Sequence, residues 1–253
     1  SFIEVGTVTP RPQEGNPKPR IFRNLKERSL LNRLGFNNKG VDYLVEKLKE
    51  RKSDILIGSS IGKNHDTPNS SASQDYIFCL QKVYEFSDYV AINISSPNTK
   101  NLRELGNTKY FQSLLEKIKK EQAILSNVYG YKPIFIKISP DESQENLELI
   151  CKSILLSKID GVICSNTSLV HDDLKGLGGI SGAPLKHKSN LTLKTIKTLL
   201  GDNIPIIASG GVMTAEDYKE KIEAGASLVQ IYTGFIYEGP KLIQDILALR
   251  SKQ

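Results

Sequence analysis

The sequence predicts an α/β fold of repeated strand–helix units, and within that class a (β/α)8 barrel counted one strand short. Three observations predict it. Short β-branched apolar runs alternate with amphipathic stretches along the chain. The runs are almost continuously apolar, as strands of a parallel sheet covered by helices are. Finally, nearly every run closes in glycine or a polar residue: Thr7, Ser60, Ser96, Lys137, Asn166, Gly210 and Thr233. In a barrel all such ends meet at one mouth, whereas an open sheet uses chiefly its switch point.

In order, the strand candidates are "FIEVGTVT", "DILIGSSIG", "YVAINIS", "PIFIKIS", "GVICSN", "PIIASGG" and "LVQIYTG". The helix candidates are "GVDYLVEKLKERK", "DYIFCLQKVYEF", "NTKYFQSLLEKIKKEQ", "SQENLELICKSILLSK", "NLTLKTIKTLL", "AEDYKEKIEAG" and "PKLIQDILALRSK". Asp141-Glu142-Ser143 marks a helix start and Gly225 a helix stop. Seven strands leave an eight-stranded barrel unclosed, and "SFIEVG" opens with no preceding helix, so an upstream strand is expected. Two long insertions interrupt the rhythm: "PRPQEGNPKPRIFRNLKERSLLNRLGFNNKG", with a hairpin expected around "RIFRNLKERSLLN", and "NTSLVHDDLKGLGGISGAPLKHKS". Long βα loops at a barrel mouth form lids and ligand walls.

The 253 residues fit one large domain, read here as a single barrel over 1–253, and the length also permits two small ones. With 39% hydrophobic and 25% charged residues the composition is globular. The net charge of +6 is spread over helix-like stretches such as "VEKLKERK", which reads as a solvated face. No nucleic-acid signature accompanies it. Cys79, Cys151 and Cys164 lie far apart in apolar segments, as reduced core thiols do, and no metal framework is expected. No run approaches the roughly 18 apolar residues of a membrane span.

Four groups of residues carry chemistry. Gly210-Gly211 and Tyr232-Thr233-Gly234 follow the last two strands, where backbone N–H groups of a barrel commonly hold a phosphate; plain turns are the alternative. Lys137, inside "PIFIKISPD", is either a lysine snorkelling from a strand end or a fixed charge for a cofactor or intermediate. Ser165-Asn166-Thr167 and "NRLGFN", Asn32 to Asn37, offer amides that suit a heterocycle of alternating carbonyl and N–H groups, though asparagine is also a turn former. In "NISSPN" the strand end presents Ser96 while Pro97 stops the ladder. A serine base needs a further acceptor or water chain to pass its proton on. A Ser-Pro-Asn turn is the structural alternative, and His65, His171 and His187 all fall in polar loops.

Taken together, "IEVGTVTPRPQEGNPKPR", "NRLGFNN", "IGKN", "INISSPNT", "KISPD", "SNT", "GGISGAPL", "GG" and "GASLVQIYTGF" resemble, in order and spacing, the class 2, quinone-dependent dihydroorotate dehydrogenases. The resemblance runs from Ile3 to about Gly234. It implies an FMN enzyme on a (β/α)8 barrel that oxidises (S)-dihydroorotate to orotate in pyrimidine synthesis and passes electrons to a quinone. It implies Ser96 as catalytic base, where class 1 enzymes usually carry cysteine. It implies substrate contacts at Asn32, Arg33, Leu34, Gly35, Phe36, Asn93, Asn98, Asn166 and Thr167. It implies FMN contacts at Thr7, Ser60, Asn93, Lys137, Ser165, Gly182, Gly211, Tyr232 and Thr233.

The resemblance also implies peripheral attachment to a membrane, the cytoplasmic face of a bacterial inner membrane or else the mitochondrial inner membrane. Two departures stand out. Ser60 in "GSSIGKN" replaces the asparagine many members have, so one flavin contact is expected to be shorter or remade through water. The family's N-terminal helices and first barrel strand are not in the sequence, which opens after them. That opening motivates a rival reading, a non-catalytic flavin-binding remnant. A class 1-like FMN pyrimidine oxidoreductase is the rival enzyme. A sugar-phosphate isomerase would need a strand-end acid–base pair that "SSPN" and "SNT" do not offer.

Overall fold

A computed structural model describes residues 2–95, 109–171 and 178–251. In chain order its strands are β1 (Phe2–Val8), β2 (Ile21–Asn24), β3 (Ser29–Asn32), β4 (Leu56–Ile61), β5 (Tyr89–Asn93), β6 (Ile134–Ile138), β7 (Gly161–Cys164), β8 (Gly179–Gly182), β9 (Ile206–Ser209) and β10 (Leu228–Gln230). Its helices are α1 (Val41–Lys49), α2 (Ala72–Val83), α3 (Lys109–Tyr129), α4 (Gln144–Leu156), α5 (Lys186–Leu200), α6 (Ala215–Glu223), α7 (Thr233–Glu238) and α8 (Pro240–Arg250). The residues divide into two compact units, the first of 1–16, 34–137 and 144–161, the second of 17–33, 138–143 and 162–253.

In the first unit β1, β4, β5 and β6 lie side by side and parallel. Every residue of β5 is buried, as expected of a strand covered on both faces. The covering helices bury one stripe each at helical spacing: Tyr76, Cys79, Leu80 and Val83 in α2; Phe111, Leu114, Leu115 and Ile118 in α3; Leu147, Ile150, Cys151 and Ile154 in α4. Two carboxylates fasten the strand starts. Asp88 accepts from the Ile57 N–H at 2.7 Å, and Asp160 accepts from the Ile134 N–H at 2.7 Å.

Two irregularities shape this sheet. The register of β1 against β4 shifts between Gly6 and Val8, leaving Thr7 as a bulge, a device that re-aims a side chain at a strand end. Gly6 has φ +105°, and a Cβ there would meet the Ser60 carbonyl oxygen at 2.4 Å, so only glycine fits. At Gly58 the Tyr89 ring fills the space of the missing side chain. That lets Tyr89 lie edge-on between Phe2 and Phe135 and reach across β4 to Glu4.

In the second unit β7, β9 and β10 run parallel, while β2, β3 and β8 form a separate antiparallel sheet. Helix α5 buries Ser189, Thr192, Leu193, Ile196 and Leu200, and α8 packs Leu242 and Ile246 on Ala215 at the start of α6. Helix α6 begins in a capping box: the Thr214 hydroxyl accepts from the Asp217 N–H, and Asp217 accepts from the Thr214 N–H.

Six of the seven expected parallel strands match within two residues at each end. The seventh stops at Gln230, and Thr233-Gly234, read as its end, opens α7 instead. The expected hairpin is β2–β3, with β8 added to its edge. All three cysteines are buried free thiols, and burial pushes the Cys151 thiol up to about 12. No helix among the described residues is long and apolar enough to cross a membrane.

Candidate active site

The parallel strand ends of the first unit hold four of the residues singled out from the sequence. The Asn93 side-chain amide donates to the Thr7 hydroxyl at 3.0 Å, and the Thr7 and Ser60 hydroxyls lie 2.8 Å apart. Asn93 and Lys137 are register partners on β5 and β6. Asn93 is fixed from behind: its carbonyl accepts from the buried Tyr76 hydroxyl, and its side-chain oxygen accepts from the Ser95 N–H and hydroxyl. The result is a row of hydroxyl, amide and ammonium groups, buried at Ser60 and Asn93 and half-buried at Thr7 and Lys137. Ser60, shorter than asparagine, spends its hydroxyl within the row on Thr7.

Lys137 meets Glu4. Its Nζ donates to Glu4 Oε1 at 3.3 Å, and the Tyr89 hydroxyl donates to Oε2 at 3.2 Å. Burial, with the Glu4 charge behind it, pushes the Tyr89 phenol well above its ordinary range. Sequence reasoning passed over Glu4, which stands 133 positions from its partner.

The "LGFNN" end of the first insertion folds back on "TPRPQEGN". Asn38 donates to the Thr9 hydroxyl and the Phe36 carbonyl and accepts from the Gly40 N–H. Gln13 donates to the Gly35 carbonyl, and the Asn16 N–H donates to the Leu34 carbonyl. Gly35 has φ +70° and Phe36 φ +55°, a tight left-handed pair that carries the Phe36 ring over Gly62. A Cβ on Gly62 would meet that ring and the Thr7 methyl at 3.0 Å each, so Phe36 and Thr7 flank the same strand end.

The second unit gathers the other group. The Ser165 N–H donates to the Ser209 carbonyl at 2.9 Å, and the Ser165 hydroxyl is buried with no hydrogen-bond partner among the described residues. The Thr233 hydroxyl donates to Ser181 Oγ at 2.8 Å. A Cβ on Gly182 would meet the Arg28 carbonyl oxygen at 2.3 Å and the Thr233 methyl at 3.0 Å, while one on Gly211 would strike the Lys186 backbone at 2.3 Å. A Cβ on Gly234 would lie 2.1 Å from the Val212 carbonyl oxygen. Ser165, Gly182, Gly211 and Thr233 are therefore brought together, and Tyr232 beside them is mostly exposed.

Asn166 and Thr167 follow, the Asn166 N–H bonded to the Ile138 carbonyl and the Asn166 side chain accepting from the Thr167 N–H. Asn32 donates to the Gly179 carbonyl across β3–β8, and Arg33 gives its guanidinium to the Pro19 carbonyl and stacks on Phe22. Ser96 and Asn98 lie outside the described residues.

An orphaned buried hydroxyl beside positions where only glycine fits suits a bound group that supplies its own acceptor atoms, and a phosphate is such a group. The hydroxyl, amide and ammonium row suits the carbonyl and N–H edge of a heterocycle. In class, this is an α/β protein that gathers polar side chains and close-packed glycines at the ends of its parallel strands.

Comparison with known proteins defines the family. The model of the dihydroorotate dehydrogenase family matches residues 1–249. The dihydroorotate dehydrogenase (quinone) of Aliivibrio fischeri strain MJ11 is 49% identical over 253 residues, covering 97% of this chain and 75% of that protein. Its counterpart in Shewanella sediminis is 50% identical over 252 residues, covering 97% and 74%. The crystal structure of DHODH from Eimeria tenella in complex with ferulenol superposes with a TM-score of 0.90 at 35% identity, covering 97% of this chain and 72% of that one. The chain belongs to the dihydroorotate dehydrogenase family, and its fold class is the expected (β/α)8 barrel.

Proposed function

We propose that this chain oxidises (S)-dihydroorotate to orotate, with FMN as hydride acceptor and a quinone as final electron acceptor, in de novo pyrimidine synthesis. The observation that carries the reading is the strand-end row, in which Thr7, Ser60, Asn93 and Lys137 are neighbours in one sheet. The names of the relatives, dihydroorotate dehydrogenase (quinone), support the substrate and the acceptor.

FMN, when bound, supplies the hydride acceptor. In the first unit Thr7, Ser60, Asn93 and Lys137 hold it, the Lys137 ammonium placing positive charge where negative charge gathers. In the second unit Ser165, Gly182, Gly211, Tyr232 and Thr233 serve the same cofactor, with the Ser165 hydroxyl free to donate.

Asn32, Arg33, Leu34, Gly35, Phe36, Asn93, Asn98, Asn166 and Thr167 take the substrate, their amides matching its alternating carbonyl and N–H groups. Ser96 accepts the C5 proton of dihydroorotate as a hydride leaves C6 and the C5–C6 double bond forms. Use of a quinone puts the protein at a membrane surface as a peripheral protein, at the cytoplasmic face of a bacterial inner membrane.

The test is turnover. The purified chain supplied with FMN, dihydroorotate and a soluble quinone should produce orotate, followed by its ultraviolet absorption. Absence of orotate, with FMN demonstrably bound, contradicts the proposal.

A further inference from the structure

A lysine that the proposed chemistry does not use is the most deeply buried cation among the described residues of the second unit. Lys221 on α6 is 0% exposed, and among the described residues its hydrogen-bond partner is the equally buried Ser189 hydroxyl on α5, at 2.6 Å. The nearby carboxylates are committed elsewhere: Asp217 and Glu220 pair with the Lys186 ammonium at 2.6 and 2.7 Å. A buried ammonium held only by a neutral hydroxyl is costly and needs a compensating role.

Its surroundings point to one. Ser189 Oγ lies 2.9 Å from both the Gly210 and the Lys186 carbonyl oxygens. Ser189 has one proton to give to either carbonyl, and with that proton on Gly210 the chain from Lys221 ends on the Gly210–Gly211 turn. Both glycines have positive φ, +103° and +76°, and the turn is pressed against the start of α5 so closely that no Cβ fits at Gly211. A carbonyl engaged by a donor that is itself bonded to a cation polarises its own peptide unit, so the N–H at the far end, that of Gly211, becomes the better donor.

We infer that Lys221 is a positioning residue for the cofactor phosphate, its buried ammonium acting through Ser189 to make the Gly210–Gly211 turn an anion cradle. This rests on the reading that the chain binds FMN. Burial lowers the ammonium to about 8, and Cys164, Asp217 and Glu220 oppose that drop while Lys186 adds to it. A bound anion restores the charge, so FMN affinity is greatest while Lys221 is protonated and declines as pH rises past about 8.

The full chain, stripped of flavin, is titrated with FMN and with riboflavin, which lacks the phosphate, by quenching of flavin fluorescence. Lys221→Met should weaken FMN on the order of tenfold, the scale of one interaction with a charged group, and leave riboflavin unchanged. Native FMN affinity should fall above pH 8, riboflavin affinity should stay level, and the variant should lose that FMN-specific fall. Ser189→Ala, which breaks the chain without burying new bulk, should give a smaller FMN-selective loss and checks the same link independently. Equal losses for both flavins, or FMN affinity unchanged in both variants, would overturn the inference. A native chain that binds neither flavin instead removes the FMN reading, and this inference with it.

Discussion

Glu4 on β1 and Lys137 on β6 form an ion pair at 3.3 Å, both largely buried, with the Tyr89 hydroxyl on the second carboxylate oxygen. A cation at the site is thus partly neutralised from within the sheet. Glu4→Gln keeps the side chain's shape, exchanges one acceptor oxygen for a donor and removes the negative charge. The bound flavin should then be easier to reduce, its midpoint potential rising on the order of 30 mV, one tenfold step for a two-electron couple. Dye-coupled spectrophotometric titration measures this, and a fall in potential counts against the role given to Lys137.

Ser96→Ala should slow flavin reduction by dihydroorotate about 100-fold or more, the range of a lost general base, while orotate binding stays within a few-fold of native. Anaerobic stopped-flow separates the two quantities. Undiminished reduction would remove Ser96 from the role of base.

Thr7 is the shared partner of Ser60 and Asn93. Thr7→Val keeps its volume but leaves a buried hydroxyl and a buried amide short of a partner, which costs about 1–3 kcal/mol. Urea unfolding should register that loss, and FMN content after purification should drop with it.

Gly211→Ala places a methyl 2.3 Å from the Lys186 Cα at φ +76°, so backbone strain and collision act together. Destabilisation of about 1–3 kcal/mol or more is expected, with loss of FMN retention. Alanine at Gly201, which also has positive φ but nothing within 4 Å of the added Cβ, should cost less and leave FMN content intact.

Lys221 has a folded-state value lowered to about 8 from an ordinary 10.5. Between those values the unfolded chain binds more protons, so stability contributed by this group rises with pH across that window. The stability gain of Lys221→Met over the native flavin-free chain should accordingly be greatest near pH 7 and shrink toward pH 10. Paired thermal melts at both pH values read the difference, and a pH-independent gain would show that Lys221 does not titrate in that window.

The parallel strands were legible because buried β strands are apolar along their whole length, as "YVAIN" and "IFIKI" are. Strand β8, "GISG", was not: two of its four residues are glycine, and it exists because β3 offers an edge to pair with. Thr233-Gly234, which open α7, fall in the expected strand "LVQIYTG" because the run before them is apolar, and their helical form depends on packing that a local pattern does not carry.

Among the candidate residues, Thr7, Ser60 and Lys137 were readable as polar groups closing apolar runs, whereas the family resemblance supplied Asn93. Glu4 was not, since a single acid in a strand reads as its exposed face until Tyr89 and Lys137 are seen to converge on it. Lys221 was hidden differently: "AEDYKEKIEAG" reads as a charged helix face, and only the packing of α6 turns that one lysine inward.

The most direct measurement is the visible absorption spectrum of the purified chain, supplied with FMN under anaerobic conditions, before and after dihydroorotate is added. The expected result is a protein-bound flavin spectrum that bleaches on addition of substrate. A chain that stays colourless after FMN is supplied and the excess removed, or a bound flavin that dihydroorotate leaves unbleached, would contradict it.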